Sequence, residues 1–409
     1  MKFKSLILIL TGIIIGTFLF EVLLRTLDYS YPAFNWPDKY RAYSRRPGAS
    51  GLWMEEGNQL ITINSAGYRD REHSKKKPES TYRIIILGDS MAEALQVPYE
   101  NSFGAIIEKN LGTCQNIREK EIEVINMAVE GYGTAQEYLT LHHFGWEYSP
   151  DLVLLAISTF TDILNNSKVL DGEALRPYFY FENEALKLDD SFLASPEYQL
   201  RTRPLSILFY KAIEYSRFLQ FLRHSKQSLF NKLKDRKNKK MVLDTPELKK
   251  DYLVFKEPRD LNWTKAWQVT EGLLLMMRDE IFSNKAKFLI VNMSAEIQVH
   301  PDAAKREKTK KILGVDNLFY PDERIKKFAQ NNNMPVINLA PIFQEYADRD
   351  KVYFHGTEEF MGKGHWNKEG HQLGGDLVSN FLCGETMKPE PPLVANKTIK
   401  KNRPKILRK

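Results

Sequence analysis

Five short apolar runs constrain this chain more than any other feature. They are Arg83 to Leu87, Glu123 to Met127, Leu152 to Ile157, Lys287 to Val291 and Pro335 to Leu339. Stretches with helical spacing separate them, near 98–111, 134–146, 264–283 and 321–331, and another follows near 367–382. Strands that are apolar along their whole length are buried on both faces, and helices between them supply the crossovers of a parallel sheet. The expected fold is therefore α/β, with a three-layer, doubly wound, five-stranded parallel sheet. A length of 409 residues allows one large domain of this kind with insertions, or two domains. With 43% hydrophobic and 27% charged residues, a sizeable core can form and global disorder is excluded.

The N-terminus carries a different signal. Lys2 and Lys4 precede an apolar run from Leu6 to Phe20, followed by Glu21, Val22, Leu23, Leu24 and Arg25. About 20 apolar residues span a bilayer as a helix. The run lacks the small-residue ending of a cleavage site. Residues 1–27 therefore read as a single-pass signal anchor, with the remainder on the extracytoplasmic side of the membrane. A cleaved signal is the alternative.

Charge separates the remaining segments. The net charge of +7 is concentrated in two runs. Residues 385–409 hold eight Lys/Arg against Glu385 and Glu390, and residues 224–250 hold nine against Asp235, Asp244 and Glu247. These read as solvated basic segments, so nucleic acid is not an expected partner. The tail 385–409 is also proline-rich and reads as disordered. Residues 28–80 read as an irregular approach segment, and 81–384 as the main domain with an insertion over 165–262. That insertion is placed either as a lid over the site or as a helical excursion on the flank. Cys114 and Cys383 cannot form a disulfide framework and leave the redox compartment open.

Four polar clusters fall where strands end. They are Gly88-Asp89-Ser90, Asn126 through Thr134, Phe160-Thr161-Asp162, and Gly364 through His371. In an open α/β sheet these ends gather at one crevice. A serine opening a helix there suits a nucleophile whose attack creates an oxyanion. His355, His365 and His371 lie ten and six residues apart, which matches no compact metal-ligand pattern. Trp263 and Trp267 have ordinary core spacing.

The order and spacing of these blocks resemble the SGNH (GDSL) hydrolase superfamily of serine esterases, over roughly residues 60–383. Asn64 through Asp70 and Tyr82-Arg83-Ile84 resemble its membrane-anchored bacterial members. The resemblance implies an SGNH/flavodoxin-like sheet and a catalytic pair, Ser90 as nucleophile and His365 as base. It also implies oxyanion donors from the Ser90 and Gly131 N–H groups, and no cofactor or metal. Two positions depart from the family pattern. Thr161 stands where an asparagine donor is usual, and Gly362 where the aspartate that orients the histidine is usual. The Thr161 hydroxyl can donate in place of the amide. Glu358, Glu359 or a backbone carbonyl can orient His365. The implied activity is an exported, membrane-tethered esterase or acyl hydrolase acting on an O-acyl ester, with an envelope carbohydrate as the leading substrate class. O-acetyl transfer is the nearest variant. A non-catalytic glycan- or acyl-binding member of the same fold is the alternative.

Overall fold

A computed structural model describes residues 2–114, 121–242 and 250–385. The chain opens with helix α1 (Lys2–Thr26), long and apolar enough to cross a membrane, exposed over most of its length and buried at Leu24 in its last turns. Two hairpins follow, β1 (Asn35–Asp38) with β2 (Ala42–Arg45), and β3 (Ser50–Trp53) with β4 (Gln59–Thr62). The approach segment is thus not irregular as expected. Its strands are only four residues long, which leaves too little alternation to stand out in sequence.

The main sheet contains β5 (Thr81–Gly88), β6 (Glu121–Asn126), β7 (Leu152–Ser158), β10 (Lys287–Met293) and β11 (Val336–Asn338). They pair in the order β11-β10-β7-β5-β6, all parallel. The fold class is the one the sequence predicts. Between β5 and β6 lie the short α2 (Ser90–Glu93) and α3 (Phe103–Gly112), and α4 (Thr134–Phe144) precedes β7. After β7 come α5 (Asp162–Asn165), α6 (Lys168–Asp171), a hairpin of β8 (Tyr178–Glu182) and β9 (Ala185–Asp189), then α7 (Pro196–Thr202), α8 (Pro204–Tyr215) and α9 (Arg217–Val242). Helix α10 (Leu261–Ser283) leads to β10. Helices α11 (Ala303–Leu313) and α12 (Tyr320–Asn331) precede β11, and α13 (Leu339–Asp350) and α14 (Lys368–Glu385) close the chain.

Strand periodicity divides the core into two. Ile84, Ile86, Leu152 and Leu154 face α3, α13 and α14, whereas Ile85, Leu87, Val153 and Leu155 face α4, α10 and α12. Trp263 and Trp267 fill the second layer. The strand order changes direction beside β5, and the carboxyl ends of the strands at such a switch point are where open α/β sheets form their crevice. Within 165–262, the β8–β9 hairpin packs on α10, where Phe181 and Leu186 close over Gly272. Helices α8 and α9 pack instead against α1 and the approach segment. The basic tail beyond Glu385 lies outside the described residues.

Cys114, just after α3, is bonded to Cys383 in α14, closing a loop across 269 residues. The sequence left this pairing open because the partners are joined only by folding. Removing a native disulfide typically costs about 2–5 kcal/mol. Cys114→Ser is therefore expected to lower the unfolding free energy by that much, read as a lower urea midpoint. An unchanged midpoint would mean that the bridge does not form in the folded protein.

Candidate active site

Ser90 begins α2 at the carboxyl end of β5, and Asp89 caps that helix by accepting from the Met91 N–H at 2.9 Å. The turn is tight. A Cβ on Gly88 would lie 2.9 Å from the Ala92 side chain and 3.0 Å from the Ala156 carbonyl. Asp89 is buried and accepts from Ser158 Oγ at 2.8 Å. Burial pushes its carboxyl up, against the hydrogen bonds of Met91, Ser158 and Thr161. Burial likewise raises Glu137 and Asp162, which lie in the same buried region, well above the usual carboxylate range.

His365 reaches Ser90 from the loop before α14. Its Nε2 stands 2.8 Å from Ser90 Oγ. Its Nδ1 stands 2.6 Å from Glu56 Oε2, and its own N–H donates to Glu56 Oε1 at 3.3 Å. Glu56 thus takes the place expected for Glu358, Glu359 or a carbonyl. Glu358 is exposed and does not occupy it. The physical reason lies at Gly362, whose φ of +82° favours glycine and whose Cβ would sit 2.9 Å from His300 Nε2 and Tyr353 Cε1. An aspartate cannot enter there without moving both rings.

Glu56 is delivered by the tip of the β3–β4 hairpin. Trp53, Ile61 and Ile63 pack with Phe34, Ala49 and Leu95, so the hairpin is anchored just beyond the helix that Ser90 opens. At its tip, Gly57 has φ +78°, and a Cβ would lie 2.1 Å from the Gln96 carbonyl. Sequence reading missed Glu56. The only local signal is Gly57-Asn58, a turn pair between two short runs.

Gly364 matters for the same contact. It has φ +77°, and an added Cβ would sit 3.0 Å from both Glu56 carboxylate oxygens. Gly364→Ala is therefore expected to displace Glu56 and cost roughly 10²-fold in any ester turnover, as misplacing a catalytic group by about 1 Å can. Steady-state kinetics with an unchanged melting temperature checks this. Full activity in Gly364→Ala would mean that the Glu56 contact is dispensable.

The loop from Asn126 to Gly131 is held from several sides. Asn126 donates through Nδ2 to the Ala92 carbonyl at 2.8 Å and accepts from the Ala128 N–H at 3.0 Å. The Glu130 N–H donates to the buried Glu93 at 2.6 Å, and the Glu130 carbonyl accepts from Tyr43 Oη at 2.8 Å. Arg45, itself buried, bridges Glu93 at 2.6 Å and Glu130 at 3.0 Å. Gly131, at φ +76°, leaves its N–H without a hydrogen bond among the described residues. Thr161 lies close by through Asp89. Its hydroxyl donates to Asp89 Oδ2 at 3.3 Å and to the Ser158 carbonyl at 3.4 Å, both long contacts.

Three other histidines have structural places. His355 is buried, accepts from Ser294 Oγ at 3.1 Å through Nε2 and donates through Nδ1 to the Gly364 carbonyl at 2.8 Å. Burial lowers it to about 4, so it stays neutral and braces the His365 loop. His371 is buried in α14 against Trp366. His143 stacks on Tyr40 with ring centroids 3.7 Å apart. Among the described residues no group of His, Cys, Asp and Glu has the geometry to hold a metal ion.

No protein-family model matches the chain, and no curated protein matches it. Among solved structures, the chain is similar to an acetyl xylan esterase, AlAXEase, at 13% identity, covering 73% of this chain and 99% of that one with a TM-score of 0.38. It is also similar to the lipase/acylhydrolase from Enterococcus faecalis at 15% identity, covering 76% of this chain and 100% of that one with a TM-score of 0.36. A two-domain esterase active on acetylated mannans matches at 11% identity, with 76% of this chain and 52% of that one covered and a TM-score of 0.36.

Proposed function

We propose that this chain is a serine esterase of the SGNH type, acting on an O-acyl ester through Ser90, His365 and Glu56. One observation carries the reading. Ser90 Oγ, His365 and Glu56 form a continuous line with contacts of 2.8 and 2.6 Å. These are the distances at which a base takes the nucleophile's proton and a carboxylate orients that base.

Ser90 Oγ attacks the ester carbonyl while His365 Nε2 takes its proton. The Nδ1 proton stays on His365 and is donated as a hydrogen bond to the Glu56 carboxylate, which stabilises the imidazolium. The N–H groups of Ser90 and Gly131 receive the oxyanion, and the loosely held Thr161 hydroxyl turns to join them. The alkoxide leaves with the proton from His365. Water, deprotonated by the same histidine, then releases the acid and regenerates Ser90. No step requires a metal or cofactor.

The substrate class the sequence resemblance suggests is an acylated envelope carbohydrate, reached from an exported domain that α1 tethers to the membrane. The Cys114–Cys383 bridge supports export, since disulfides persist in oxidising compartments. A fluorophosphonate probe is expected to label Ser90 in the native chain and fail on Ser90→Ala. Absence of labelling, with glycan binding retained, would replace the esterase by the binding-only reading. That reading drew on Gly362 and Thr161, and Glu56 answers the first of these. Acyl appearing on an added sugar rather than in water would indicate transfer.

A further inference from the structure

Helix α8 has an apolar face that nothing in the described chain covers. Leu205 is 80%, Leu208 63%, Phe209 59% and Tyr215 76% exposed. With Ala212 they recur at the spacing of a single helical stripe. The opposite face is committed to the protein, where Ile213 is buried, Glu214 pairs with Arg46 and Tyr210 packs on Trp36.

The position of this stripe says what it meets. The corner between α8 and α9 is tied to the last turns of α1. Glu21 accepts from Ser216 Oγ at 3.0 Å and from the N–H groups of Arg217 and Phe218 at 3.0 and 2.8 Å, which caps α9. Arg25 donates to the Tyr215 carbonyl at 2.6 Å. The Phe20 ring meets Phe221 and Phe218 at 5.2 and 6.1 Å. Phe20 and Arg25 are about 7.5 Å apart along a helix axis. Interfacial helices sit about 5–10 Å into the boundary between headgroups and acyl chains. The corner therefore lies at the level where α1 leaves the apolar layer.

We propose that α8 lies along the surface of the same bilayer that α1 crosses, with Leu205, Leu208 and Phe209 inserted at the headgroup boundary. This rests on reading α1 as a spanning helix. Tyr215 at the corner suits that depth, because tyrosine favours membrane interfaces. Exposed Arg203 at the start of α8 and Lys211 within it adjoin the stripe and match an anionic lipid surface. The arrangement also orients the domain. Arg46, held by α8, is the neighbour of Arg45, which braces Glu93 and Glu130 in the active site.

The test uses the full chain in vesicles of neutral and anionic phospholipid. An environment-sensitive fluorophore is placed at Leu208→Cys or, separately, at Leu10→Cys. The two native cysteines are bonded to each other and do not take the label. At position 208 the expected result is a blue shift on anionic vesicles and stronger quenching by lipids labelled near the headgroup than deep in the chain. At position 10 the deep quencher is expected to dominate. Quenching at 10 but not at 208 would overturn the docking of α8 while leaving the anchor in place. Quenching at neither overturns both. A blue shift at 208 that grows with protein concentration in detergent would mean that a second copy covers the stripe, and it also overturns the proposal.

Discussion

Ser90→Ala is expected to lower kcat on a chromogenic short-chain ester by about 10⁶, with His365→Ala losing a similar amount. The double variant should be no worse than either single one, because the two side chains act as a unit through their 2.8 Å contact. A residual rate above that of water, supplied by the oxyanion donors and binding, should survive all three. Circular dichroism would show the fold intact, since neither side chain holds the core. Turnover within tenfold of the parent in Ser90→Ala would end the esterase reading.

Glu56→Gln is expected to cost about 10⁴ in kcat, the scale seen when the carboxylate orienting a catalytic histidine becomes an amide. The amide can donate to Nδ1, which moves the proton to Nε2 and removes the acceptor that Ser90 needs. The pH dependence provides a second readout. Burial pulls His365 down, but the Glu56 hydrogen bond and charge, with the charges of Glu130 and Asp89, outweigh it and raise the histidine above its ordinary value. Activity needs the neutral base, so it should rise with pH through that raised value. The associated stability has the opposite sense. It is present below the histidine's unfolded-state value and is lost as pH rises through the folded one. Glu56→Gln should move the acidic limb of the rate profile to lower pH while depressing its plateau. Glu56→Asp, shorter by one methylene, should keep more activity than the amide. An unmoved limb with a rate within tenfold of the parent would show that Glu56 does not orient His365.

Much of this architecture was legible in the chain. Ile84-Ile85-Ile86 and Leu152 to Ile157 are apolar on both faces, so they could only be interior parallel strands. That also put Ser90 at a strand's carboxyl end, facing His365 across the crevice. Local pattern and topology thus led to the expectation that Ser90, Gly131, Thr161 and His365 gather at the strand ends, and a 2.8 Å contact joins Ser90 to His365. Function within that crevice is a reading of the geometry.

The orienting carboxylate was a different kind of problem. The sequence places Gly362 where an aspartate is usual, and the nearest acidic candidates were Glu358 and Glu359. The residue that reaches Nδ1 is Glu56, at a separation of 309 positions. Its selection depends on Gly57 fitting against Gln96, on Gly364 leaving room for the carboxylate, and on Trp53 and Ile61 docking beside Leu95. None of these contacts has a sequence period. The same holds for Cys114 with Cys383, and for α8 beside the end of α1. Continuous apolar runs by themselves determined the sheet and the strand end that carries Ser90. Long-range packing alone decided which carboxylate, cysteine and helix face meet, because those pairings depend on side-chain shape at contacts formed only after the chain has closed.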